Sequence, residues 1–106
     1  MVKRGEVWLV SLDPTVGSEI QKTRPCLIVS PDQMNDHLRA VIVAPLTSGS
    51  RPARFRVPAH FQGKDGLILC DQMRTIDKMR LVKRLGKLDA TTLKAALAIL
   101  VAMFGN

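Results

Sequence analysis

The chain has 106 residues, the size of one small domain, and 46% of them are apolar, which suits a globular core and excludes a disordered chain. No apolar run approaches the roughly 18 residues of a membrane span, and the start of the chain lacks a signal-peptide pattern, so a single cytoplasmic domain over 1–106 is expected. Sixteen Lys and Arg against nine Asp and Glu leave a net charge of +7, and all of that excess lies in residues 51–106, which points to a polyanionic partner, either nucleic acid or an acidic protein.

In chain order, residues 7–12 are rich in strand formers and stop at Asp13-Pro14, a turn signal. Residues 15–22 read as a polar loop. Pro25 opens a second strand over 26–30, closed by Pro31, and 32–37 reads as a turn or a single helical turn. A third strand over 40–44 is expected to end at Pro45. Residues 54–57 alternate polar and apolar, which predicts a strand with Arg54 and Arg56 on one wet, basic face. Residues 66–72 form a further strand, and 81–88 alternate loosely around basic residues. Then the period changes. Asp89 is a good N-cap, Leu93, Leu97, Leu100 and Phe104 share one helical face, and Gly105 suits the C′ position. The opposite face carries Ala95, Ala98 and Ala102, so this helix wants cover on more than one side, and a partner subunit would supply it. Short strands followed by one helix indicate a mainly β fold, a small β-barrel with a C-terminal helix. Dimerisation would help so small a domain.

The usual catalytic signatures are absent: no P-loop, no GxGxxG, no HExxH. Cys26 and Cys70 sit in apolar runs, where reduced, buried, inert thiols are expected. His37 and His60 read as ordinary surface histidines, and no spacing offers three metal ligands, so neither metal nor cofactor is expected. What remains are three polar groups at strand ends, residues 17–25, 45–50 and 70–78. They are either turn residues or, being loops held by a rigid scaffold, a binding or catalytic site.

These groups carry a resemblance. Arg4-Gly5-Glu6-Val7-Trp8, Leu12-Asp13-Pro14-Thr15 with Gly17-Ser18-Glu19, and Thr23-Arg24-Pro25 leading into Leu27-Ile28-Val29-Ser30 are followed by Val43-Ala44-Pro45-Leu46-Thr47-Ser48. Cys70-Asp71-Gln72 and Arg74-Thr75-Ile76-Asp77-Lys78-Met79-Arg80-Leu81 complete the series. In this order and spacing the chain resembles toxins of the MazF/PemK (Kid) family of type II toxin–antitoxin systems, with the weakest match over 49–64. The resemblance implies an SH3-like barrel, a homodimer, and metal-independent, sequence-specific cleavage of single-stranded RNA. It also implies neutralisation by an acidic antitoxin, with operator DNA reached only through the antitoxin complex.

Attack by the 2′-hydroxyl gives a 2′,3′-cyclic phosphate and a 5′-hydroxyl, and such a site needs proton transfers and cations for the phosphorane charge. Arg24 matches the family's active-site arginine. Its guanidinium can fork onto phosphate oxygens, and Pro25 keeps it extended. Thr47 matches the second active-site residue of MazF-type members, with Ser48 as a companion. Glu19 is a candidate for contacting substrate or positioning Arg24. Asp71 matches the aspartate proposed as base in the PemK branch, and its neighbour Gln72 is a candidate substrate contact. The arginine that this branch places two residues earlier is replaced by Leu69, so Asp71 is expected to lack a partner and to matter less than Arg24. Arg54 and Arg56 are expected to track an RNA backbone or to sit on a solvated edge. Two alternatives are a gyrase poison like CcdB and a non-catalytic nucleic-acid-binding barrel. The C-terminus, Met103-Phe104-Gly105-Asn106, lacks the anchors of the first, and the few aromatics disfavour a stacking platform in the second.

Overall fold

Apolar runs that do not alternate, such as 26–29 and 41–44, need cover on both faces of the sheet, and the computed structural model provides it. It describes all residues except 14–16, 18, 20, 21 and 106, so the polar loop expected over 15–22 lies mostly outside the described residues. Seven strands form one antiparallel sheet: β1 (Glu6–Ser11), β2 (Thr23–Ile28), β3 (Ala40–Thr47), β4 (Arg56–Phe61), β5 (Lys64–Leu69), β6 (Arg74–Asp77) and β7 (Leu81–Lys87). A short helix, α1 (Asp32–His37), follows β2, and the chain closes with α2 (Ala90–Phe104). The strands run β4-β5-β3-β2-β1-β7, with β6 also paired to β3.

Alternation sends neighbouring side chains of each central strand to opposite faces. Val7, Leu27 and Ala44 join Val57, Ile68, Cys70, Leu88 and Ala96 in the core beneath α2, while Val10, Cys26, Ile28, Val41, Val43 and Ile76 fill a second core on the other face. The path is open, but its two ends approach each other. Gln62 Nε2 donates to the Leu85 carbonyl at 3.2 Å, and a Cβ on Gly86 would stand 3.3 Å from the Phe61 ring. These contacts bend the sheet into a partly open barrel, the class expected from the sequence.

Four local expectations are corrected. β3 does not stop at Pro45 but runs on to Thr47, with Pro45 opposite Cys26. Ile42 exchanges bonds with Val29 and Ser30 on the β2 side, so by alternation Pro45 turns its nitrogen to the other edge. There the partner of β3 changes from β6, ending at Val43, to β5, starting at Leu46, so Pro45 falls in the gap and its missing N–H breaks no ladder bond. β5 ends at Leu69, because Cys70–Gln72 closes into a 3₁₀ turn. Arg54 precedes β4 and stacks its guanidinium 5.3 Å from the centre of the Phe55 ring, so it does not share a strand face with Arg56.

The fourth correction concerns α2. Asp89 is its N-cap, accepting from the Thr92 N–H at 2.9 Å and the Thr92 hydroxyl at 2.8 Å. The buried stripe, however, is Leu93, Ala96, Leu100 and Met103, with Ile99 beside it, while Phe104 lies exposed. A small residue is needed at the centre because the helix passes close over the turn after β5, where the Cys70 thiol points to the Ala96 carbonyl at 4.0 Å. Gly105 ends the helix at φ −87°, a backbone open to any residue, with its N–H donating to Val101.

Candidate active site

Two strand ends and one hairpin enclose a cavity of about 250 Å³. On one wall stand Arg24 and Pro25 from β2 with Leu46, Thr47 and Ser48 from the end of β3. Arg24 is exposed and lies opposite Val10 in the β1–β2 ladder. Pro25 fixes its own φ and holds Arg24 in the extended region. The half-buried Thr47 closes a small turn, its Oγ1 accepting from the Gly49 N–H at 3.2 Å. That bond uses an oxygen lone pair and leaves the hydroxyl proton for another partner. The wall is held from behind by Gly66, since a Cβ there would stand 2.7 Å from the Thr47 carbonyl oxygen. No side chain fits that gap, so a glycine lets β5 approach the end of β3.

The opposite wall is the β4–β5 hairpin. Gln62 at φ 51° and Gly63 at φ 77° form its two-residue turn, with Phe61 opposite Lys64, the geometry of a type I′ hairpin. The hairpin turns Phe61, Lys64 and Asp65 to the cavity. None of these was singled out in the sequence. His60 faces Asp65 across the ladder, with Nδ1 2.7 Å from Oδ1. Only a hairpin register could have revealed this pair, since nothing in the local sequence marks it.

The structure therefore brings together Arg24, Thr47 and Ser48 but leaves Asp71 outside their cavity. Asp71 and Gln72 occupy the 3₁₀ turn at the far end of β5. Asp71 is not without a partner, contrary to the expectation drawn from Leu69. Arg56, at the start of β4 and opposite Leu69, donates through Nε to Oδ1 at 3.2 Å and through Nη2 to Oδ2 at 3.1 Å. Its Nη1 donates to the Arg51 carbonyl at 3.1 Å. Arg56 is thus fastened to a carboxylate and a carbonyl, and does not stand open along a strand face. Glu19 is exposed and lies outside the cavity walls.

The basic stretch 74–87 is also partly occupied. Arg74 donates to the Leu12 carbonyl at 3.1 Å, Arg80 to the carbonyls of Ser11 and Asp13, and Lys78 to that of Asn35. The Arg74 and Arg80 bonds tie down the exit of β1 and the Lys78 bond reaches α1, none of them neutralising a charge. Arg84 does meet a carboxylate, with Nε 2.6 Å from Glu6 Oε2. Burial alone would raise the Glu6 carboxyl, but the Lys3 N–H, the Trp8 indole and Arg84 together hold it below its ordinary value. Both cysteines are free and buried, with desolvation pushing the Cys26 thiol up to about 12 and that of Cys70 to about 11. They are protonated and unreactive, as expected. Among the described residues no three His, Cys, Asp or Glu side chains converge, and no helix is long and apolar enough to cross a membrane.

Comparison with known proteins places the chain. The sequence model of the PemK-like, MazF-like toxins of type II toxin–antitoxin systems matches residues 3–104. The chain belongs to this toxin family. It is 47% identical over 102 residues to the endoribonuclease PemK of Escherichia coli, covering 91% of this chain and 77% of that protein. It is 39% identical over 93 residues to the endoribonuclease MazF of Staphylococcus epidermidis, covering 80% of this chain and 76% of that protein. Its structure resembles the crystal structure of MazF from Deinococcus radiodurans with a TM-score of 0.87 at 25% identity, over 99% of this chain and 97% of that one.

Proposed function

We propose that this toxin cleaves single-stranded RNA in the cytoplasm, using the cavity between β2, β3 and the β4–β5 hairpin as its active site. The observation that carries the reading is the meeting of Arg24 and Thr47 on one wall of a cavity in a chain whose relatives are named endoribonucleases. The ribose 2′-oxygen attacks phosphorus, the bond to the 5′-oxygen breaks, and the products are a 2′,3′-cyclic phosphate and a 5′-hydroxyl. The nucleophile belongs to the substrate, so the protein's tasks are to position it, to move protons and to stabilise charge. Arg24 forks onto the non-bridging oxygens as they gain negative charge. A guanidinium is a very weak acid, so proton donation to the leaving oxygen is a secondary role. The Thr47 hydroxyl, with its proton unspent on Gly49, orients the phosphate or the 2′-hydroxyl.

The partners follow from the same reading. The toxin is a homodimer, and an acidic antitoxin covers the basic second half and the cavity, its charge speeding association. Operator DNA is reached only through that complex. The test is cleavage of a defined RNA by the purified protein in EDTA with analysis of the ends. Products with 5′-hydroxyl and 2′,3′-cyclic phosphate ends support the reading. Products with 5′-phosphates, or activity that EDTA abolishes and Mg²⁺ restores, overturn it.

A further inference from the structure

The hairpin wall of the cavity has no part in the chemistry assigned to Arg24 and Thr47, yet it is specifically furnished. Asp65 lines the cavity beside Lys64 and Phe61. One of its oxygens, Oδ1, is held by His60 Nδ1 at 2.7 Å, and Oδ2 has no hydrogen bond among the described residues. The ring of Phe61 is half-buried, with its far edge against Gly86, whose missing Cβ leaves room for it. At about 250 Å³ the cavity is smaller than the ~300–1,000 Å³ of sites for drug-sized ligands, a size for one nucleotide unit. Asp65 is solvent-exposed, its side chain 93% accessible, and an apolar ring beside a carboxylate paired to a second side chain at the mouth of a cavity is an arrangement that can receive a base. The ring offers a face for stacking, and the carboxylate accepts hydrogen bonds from the edge.

We propose that Asp65, oriented by His60, is a specificity-determining residue that selects, at one position of the RNA, a base carrying an exocyclic amino group. This rests on the reading of the chain as an endoribonuclease and adds a preference to it. An ionised carboxylate only accepts hydrogen bonds. It is satisfied by the amino groups of adenine, cytosine or guanine. Against uracil it meets an edge whose single N–H is flanked by two carbonyl oxygens, which repel it. Asparagine at the same place is both donor and acceptor and loses this discrimination. His60 acts as a positioning residue. It holds Oδ1 so that Oδ2 keeps one direction, and without it the carboxylate turns freely on an exposed hairpin.

The experiment uses the full-length protein and a set of RNAs of one sequence in which each base near the cut is exchanged in turn between amino and oxo forms, cytosine for uracil and adenine for hypoxanthine. Wild-type kcat/KM is expected to fall roughly tenfold to 100-fold on losing the amino group at one position only. In Asp65→Asn that ratio shrinks to within about threefold, and in His60→Gln it takes an intermediate value, with thermal melts confirming folding. A role confined to hairpin stability would lower the melting temperature and leave the ratio alone. That result, an unchanged ratio in Asp65→Asn, or an equal loss on every substrate overturns the inference while leaving the endoribonuclease reading intact. Wild-type protein that cuts none of the RNAs overturns both.

Discussion

Arg24 stands near the start of β2 on the wall of a cavity, whereas Arg56 is forked onto Asp71 at the other end of the β4–β5 hairpin. This difference decides what each residue can do. A guanidinium already forked onto a carboxylate has little capacity left for phosphate, and an aspartate so held is positioned at the hairpin's far end, away from Thr47. Arg24→Ala is therefore expected to fold normally and lose on the order of 10²–10³ in cleavage rate, as for other preorganised electrostatic stabilisers. Thr47→Val, which deletes one hydroxyl contact, should lose about tenfold. Asp71→Asn should keep most of its rate, because its partner Arg56 can still donate to the amide oxygen. Single-turnover cleavage of one RNA, with melting curves as the folding control, checks the order. A dead Asp71→Asn beside an active Arg24→Ala inverts the assignment.

Elements are tied together by polar contacts that hydropathy does not reveal. Glu6 opens β1, and its carboxylate accepts from the Lys3 N–H at 2.8 Å, the Trp8 indole at 3.1 Å and Arg84 of β7 at 2.6 Å. Its folded pKa lies below the ordinary value, so this contribution to stability is full above the unfolded pKa and is lost as pH falls through the folded one. Glu6→Gln is expected to cost about 1–3 kcal/mol at neutral pH, since charge-assisted bonds are replaced by weaker ones. The gap in melting temperature between wild type and variant should close as pH falls through the ordinary carboxylate range and below it. A gap that stays constant through that range means the carboxylate charge is not what joins β1 to β7.

At the scale of the whole molecule, α2 buries one stripe and leaves another uncovered. Val101 and Phe104 are each 72% exposed, an apolar pair that a single copy cannot bury. Sedimentation at micromolar concentration is expected to give about twice the 11.7 kDa of one chain. Val101→Glu, which places a charge on this face, should shift the species towards monomer. A dimer equally stable in that variant puts the interface elsewhere.

Much of this was determined by the sequence alone. Strand-forming runs bounded by Pro and Asp, the capped helix after Asp89 and the localised cations are local signals, set by backbone preference, spacing and charge, while Arg24 and Thr47 stand out only through the family resemblance of the motifs around them. The tertiary structure decided what depends on residues distant along the chain. Pro45 sits inside β3 because the strand's partner changes from β6 to β5 at that point. Ala96, not Leu97, faces the core because the helix crosses close over Cys70. Asp71 finds Arg56, 15 residues away, because the β4–β5 register brings the two hairpin ends together. The hairpin wall of the cavity, with Phe61 and the His60–Asp65 pair, lies at the end of the stretch least like the family's motifs, 49–64, with Asp65 just beyond it. There only the fold, by pairing β4 with β5 and β5 with β3, sets a carboxylate opposite the arginine.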